Sequence, residues 1–200
     1  MQRYGNQLIY APSDLGNFLA CEHLTQLDLR AVLGQGTRPY FSNAYVDLIA
    51  RKGEEHERNF LEALRADGNG ITEVGLGGTR DFSAAAALTA EAMRAGSKYI
   101  YQAVFLTGDW HGIADFLERI DRPSALGAWS YQVLDTKLAR HPRPEHALQL
   151  CFYSHALDRT VGNSACGSVE AHHDRSKSQP ARCGSPPESK QLTRASERMS

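Results

Sequence analysis

No C-x-x-C pair occurs among the four cysteines, Cys21, Cys151, Cys166 and Cys183. This removes the common zinc and dithiol patterns and offers no disulfide framework. No apolar run reaches membrane length and no secretory start is visible, so a cytoplasmic protein with no membrane partner is expected, in a reducing compartment. An excess of one charge is missing too: 22 Lys+Arg against 23 Asp+Glu leave a net charge of −1. Binding to a polyanion would then have to come from a local patch or from metal ions rather than from overall basicity. Gly75, Gly77 and Gly78 lack the G-x-G-x-x-G order and give no evidence of a nucleotide loop. What remains is ordinary: 200 residues, 42% hydrophobic and 22% charged, enough for one domain with its own core.

After Ala11-Pro12-Ser13-Asp14, apolar residues recur at helical spacing and predict one helix over 12–33, closed by Gly34 and Gly36. Within it Cys21 reads as a small buried thiol. A second helix is predicted over 45–66, where His56 shares one face with Ile49, Phe60 and Leu64, so its imidazole is expected to point inward. Taken alone, such a histidine is more often a satisfied core residue than a metal ligand. A short strand over 71–75 and an alanine-rich helix over 82–95 follow.

Residues 98–107, 110–120 and 129–138 alternate with a period of two and predict three strands in an antiparallel meander. Mid-strand Asp115 stands among apolar neighbours, where a charge is costly unless paired or bound to metal. The third strand ends in Asp135-Thr136-Lys137, a carboxylate and an ammonium on one strand face. Arg140, His141 and Arg143 cluster just beyond it. A helix over 144–159 then places Gln149 and Tyr153, four apart, on one face. From about residue 163 to 200 Ser, Pro, Arg, His and Gly dominate, which predicts a disordered tail. His172, His173, Asp174, Cys166 and Cys183 match no common zinc spacing there.

An acid-x-Lys triplet is within chance, as Glu188-Ser189-Lys190 in the tail illustrates. Context distinguishes Asp135-Thr136-Lys137: an apolar strand precedes it, a neighbouring strand bears Asp115, and the next helix presents Gln149 and Tyr153. Two carboxylates on adjacent strands with an inward histidine would suit a hard or borderline cation, magnesium or manganese. A lysine beside them can orient or help deprotonate an attacking water, which is equipment for phosphodiester hydrolysis. The competing explanation is a partly buried ion-pair cluster of Asp115, Asp135 and Lys137, which leaves His56, Gln149 and Tyr153 without a role.

G-x-x-H at 53–56, G-x-A-D-F at 112–116, D-T-K at 135–137 and Q-x-x-x-Y at 149–153 occur in the order that resembles the RecB-like nucleases of the PD-(D/E)xK superfamily. The likeness is greatest to putative RecB-family nucleases often attached to helicase modules, with similar A-P-S-D-L, F-L-A-C, I-Y-Q-A and Q-L-C-F-Y-S segments; it covers about residues 8–159. The resemblance implies an α/β fold with a restriction-endonuclease-like core, here a three-stranded antiparallel meander flanked by helices. It implies a metal-dependent DNA nuclease, connected with DNA repair, acting on single- or double-stranded DNA, with a helicase as a further partner. His56, Asp115, Asp135 and the Thr136 carbonyl would ligate Mg2+ or Mn2+, and Lys137 would be the catalytic lysine. Gln149 and Tyr153 would hold the site and the DNA strand beside it. Arg140 and Arg143 are candidate phosphate contacts. Related families hold an iron–sulfur cluster with one early and three late cysteines. Cys21 occupies the early place but the late set is missing, so no assembled cluster is expected. The strand usual after the Q-x-x-x-Y helix is not visible either. The expectation is an incomplete nuclease domain over 1–162, truncated after that helix and lacking its closing strand. The alternative is a catalytically weak or inactive nucleic-acid-binding remnant, or an accessory domain of a nuclease–helicase system.

Overall fold

The computed structural model describes residues 1–38, 43–78, 80–136, 144–161 and 170–171. The chain begins with a hairpin of two three-residue strands, β1 (Gln2–Tyr4) and β2 (Gln7–Ile9). Helices α1 (Pro12–Ala20), α2 (Glu22–Val32) and α3 (Ala44–Ala66) follow, then β3 (Ile71–Glu73) and α4 (Phe82–Arg94). Strands β4 (Tyr99–Thr107), β5 (Trp110–Ile120) and β6 (Ser130–Asp135) form the predicted meander, and α5 (Pro144–Val161) and β7 (Glu170–Ala171) complete the order. The main sheet runs β3-β4-β5-β6-β7, antiparallel through the meander and parallel at both edges. The α/β class is therefore as expected.

Three local expectations are corrected. The single helix over 12–33 is two, because Cys21 is extended (φ −165°, ψ 108°) and interrupts the helical backbone. Apolar spacing cannot register a break of one residue when the pattern resumes in phase. Cys21 is exposed rather than buried. α2 buries none of its side chains, and Phe18, Leu19, Leu24 and Leu27 are exposed. The expected lack of a strand after α5 is also corrected: β7 pairs parallel with β6 at Leu134 and Asp135. Two residues carry no periodic signal, yet the free edge of β6 offers backbone groups for a ladder. Apart from β7, the predicted tail over 163–200 lies outside the described residues.

The helix starts follow from capping. Asp14 accepts the Ala11 N–H at 2.7 Å, the Asn43 side chain accepts Tyr45 N–H at 3.0 Å, and Asp81 accepts Ala84 N–H at 3.0 Å. α4 lies on one sheet face, where Val104 and Ile113 pack with Phe82 and Ala85, and Val104 N–H donates to the buried Thr89 hydroxyl at 2.9 Å. The opposite face is shared. At one end Gly112 lies under Tyr153; at the other Phe116, two pleats along, meets Phe60 of α3 edge-on at 5.0 Å. α5 and α3 thus cover successive parts of one face.

Candidate functional site

The β5–β6 ladder ends at Phe116↔Leu134. One further step in the same antiparallel register sets Asp115 opposite Asp135. Thr136 N–H donates to Asp115 Oδ2 at 3.3 Å, closing the end of this strand pair. Asp135 is 2% exposed and Asp115 is half-buried. Two carboxylates side by side are hard oxygen donors of the kind a divalent cation takes. Thr136 is buried, and among the described residues its hydroxyl has no hydrogen-bond partner.

Gln149 and Tyr153 meet as their spacing predicts: Gln149 Nε2 donates to the Tyr153 hydroxyl at 3.3 Å. Burial pushes the Tyr153 phenol up to about 12; the Gln149 hydrogen bond opposes this, and the charges of Asp115 and Asp135 add to it. Tyr153 is thus within electrostatic reach of both aspartates and stays protonated at neutral pH. Its ring is held by Phe105, 6.3 Å away, and by the missing side chain at Gly112. A Cβ at Gly112 would approach Tyr153 Cε1 to 2.6 Å and Phe152 Cε1 to 2.9 Å. The glycine of G-x-A-D-F is therefore where α5 comes down onto β5.

The same pair borders a cleft of about 480 Å³ between α1, β5 and α5, whose other walls include Ser13, Asn17, His111 and Glu145. Neither Asp115 nor Asp135 lines it. His111 is held below the usual imidazole range by burial and by the N-terminal ammonium, with Asp14 opposing.

His56 is half-buried on α3, one turn before Phe60. The predicted apolar face reaches the sheet only through the C-terminal half of α3, where Leu61 and Leu64 are buried, while Ile49 is 47% exposed. Among the described residues no three His, Cys, Asp or Glu side chains stand where they could hold a metal ion. His56 is therefore not brought into a ligand group with the aspartates. Lys137, Arg140 and Arg143 lie outside the described residues. So do Cys166 and Cys183, while Cys21 and Cys151 are exposed free thiols.

Three residues near Asp115 carried no assignment from the sequence. Tyr101, in the ladder beside Phe116, has its phenol pushed up to about 12 by burial, then by a hydrogen bond to Glu57 and the charges of Glu57 and Asp115. Gln102 donates through Nε2 to the Tyr101 hydroxyl at 3.2 Å and to Glu57 at 3.4 Å. The I-Y-Q-A segment contains two of the three, but spacing gave no reason to connect them with α3.

Compared with protein-family models, with curated proteins and with solved structures, the chain matches none.

Proposed function

We propose that this chain is a metal-dependent DNA nuclease of RecB-like type, hydrolysing phosphodiester bonds. The observation that carries the reading is the placement of Asp115 opposite Asp135 at the open end of β5 and β6, with Thr136 N–H on Asp115. The carboxylate oxygens and the Thr136 carbonyl are hard donors suited to Mg2+ or Mn2+, and these are the groups that would hold it. Such a cation, when bound, supplies Lewis acidity at a phosphoryl oxygen. His56, expected from the resemblance as a ligand, would need to approach from α3.

The chain's own groups have separable tasks. Asp115 and Asp135 supply negative charge at one point, which a phosphodiester alone would avoid. Lys137, two residues beyond Asp135, is assigned the proton of the attacking water. Tyr153 stays a phenol and can donate a hydrogen bond toward a phosphate oxygen or a DNA strand, oriented by Gln149. Arg140 and Arg143 are proposed phosphate contacts, DNA the substrate and a helicase the further partner. No described helix is long and apolar enough to cross a membrane.

A second reading has its own support. The lack of a three-ligand group among the described residues favours a nucleic-acid-binding remnant or accessory domain with weak catalysis or none. Labelled single- and double-stranded DNA, incubated with magnesium or manganese and wild type, Asp135→Ala or Lys137→Ala, separates the two. Cleavage by wild type alone supports the nuclease, and binding without cleavage supports the remnant. Cleavage that persists in both variants rules out the assigned site.

A further inference from the structure

Gln102 is the only non-glycine residue with positive φ, 51°, among the described residues. Such a conformation is strained for a side chain with a Cβ, and persists where its surroundings impose it. Its place in the sheet gives the strain a local meaning. The β4–β5 ladder pairs Tyr101 with Phe116 and Ala103 with Ala114, and the skipped rung between them is Gln102 against Asp115. On the other side, beyond the last β3–β4 rung at Glu73↔Tyr101, Gln102 C=O accepts Gly75 N–H at 3.0 Å. Gly75 is itself left-handed (φ 51°), and a Cβ there would lie 3.1 Å from Gln102 Oε1. The half-buried carboxamide is directed to Glu57, the neighbour of His56 in α3.

We propose that Gln102 is a positioning residue for the carboxylate pair: its left-handed backbone interrupts the rung at Asp115, and its carboxamide ties α3, through Glu57, to that rung. Freed from a flat ladder on the β4 side, the Asp115 carboxylate turns to Thr136 N–H at the end of β6. One residue thereby joins β4, α3 and the β5–β6 end. Only the kinetic consequence rests on the proposed nuclease activity; the geometric one does not.

The test uses the full chain, labelled for amide NMR, as wild type, Gln102→Gly, Gln102→Ala and Glu57→Gln. Glycine keeps the left-handed backbone without the carboxamide and so folds even if alanine does not. In wild type the Thr136 amide should be protected from exchange by its bond to Asp115. In Gln102→Gly and Glu57→Gln, Thr136 amide exchange should rise about tenfold. Amides in the β4–β5 hairpin, from Phe105 to Gly112, should not change, which a general loss of packing would not allow. Where wild type cleaves DNA, kcat should fall about tenfold in both variants with KM within twofold. Unchanged Thr136 exchange in both variants overturns the proposal. A changed Thr136 signal in a chain without nuclease activity supports the positioning role and counts against the nuclease.

Discussion

Thr136 N–H donates to Asp115 Oδ2 at 3.3 Å, so the first residue beyond β6 is tied to the mid-strand acid of β5. The bond spans the point where the ladder stops at Phe116↔Leu134, and it keeps Asp135 beside Asp115 although the two form no rung of the ladder. The bond fixes the direction of the Asp115 carboxylate at the end of the strand pair.

Asp135→Asn tests the proposed role of Asp135 without changing shape. The substitution keeps the size of a side chain that is 2% exposed and replaces one carboxylate oxygen by an amide nitrogen. Stability is expected to stay within about 1 kcal/mol of wild type, in either direction. DNA cleavage with magnesium or manganese is expected to fall on the order of 100-fold, as for loss of one preorganised charged group. Thermal melting and cleavage kinetics measured together check it. Unchanged cleavage would remove Asp135 from the site.

Gly112→Ala should damage the site through packing alone. The added methyl meets Tyr153 at 2.6 Å and Phe152 at 2.9 Å, and the ring atoms it meets belong to α5 side chains buried or half-buried against the sheet. Overpacking of this kind costs about 1–3 kcal/mol. α5 must lift, and the Gln149–Tyr153 pair moves with it. Urea unfolding of the variant should show a lower midpoint with an unchanged slope; an unchanged midpoint would show that α5 does not depend on the missing side chain at Gly112.

How far the sequence disclosed this arrangement depends on the length of each signal. The meander is legible because alternation over 110–120 persists for eleven residues, and β5 is found at those bounds. Gln149 and Tyr153 are legible because spacing of four on a helix leaves no alternative to a shared face. The β1–β2 hairpin is not, since three-residue strands are too short to show a period. Cys21 is not, because one extended residue shifts no apolar phase. The most consequential omission is Gln102, whose role lies in a backbone angle and in a contact 45 residues away with Glu57. Neither leaves a trace in local pattern. For His56 the apolar face of α3 was read correctly near Phe60 and Leu64, but periodicity does not say how much of a 23-residue helix reaches the sheet.

Thr89 gives a prediction that concerns the scaffold only. Its hydroxyl, 1% exposed, accepts Val104 N–H at 2.9 Å and donates to Ala85 C=O at 3.1 Å, fastening α4 to β4. Thr89→Val is nearly isosteric, so the loss is the hydrogen bond and not volume. Val104 N–H is left buried without that acceptor, at a cost of about 1–3 kcal/mol. Denaturant unfolding should show this, and Thr89→Ser should recover most of it. Equal loss in both variants would place the effect in the methyl group instead.

Alkaline pH should unfold the chain through its buried tyrosines. Burial is the first cause that pushes Tyr101, Tyr131 and Tyr153 each up to about 12, against about 10 in an unfolded chain. Between these values the unfolded chain has released phenolic protons that the folded chain still binds, so stability falls as pH rises. The contribution is present in full below about pH 10 and is lost progressively as pH climbs through about 12. Lysines titrate in the same region, so the comparison that isolates the effect is with Tyr101→Phe, Tyr131→Phe and Tyr153→Phe combined. Wild type should show a steeper decline of its urea midpoint over this window than the triple variant, and parallel declines would assign the loss to other groups. The same shift fixes what Tyr153 can do at neutral pH. A phenol titrating near 12 donates a hydrogen bond and does not serve as a base, so any pH limb of cleavage below about 9 should be identical in Tyr153→Phe, with only the rate lowered.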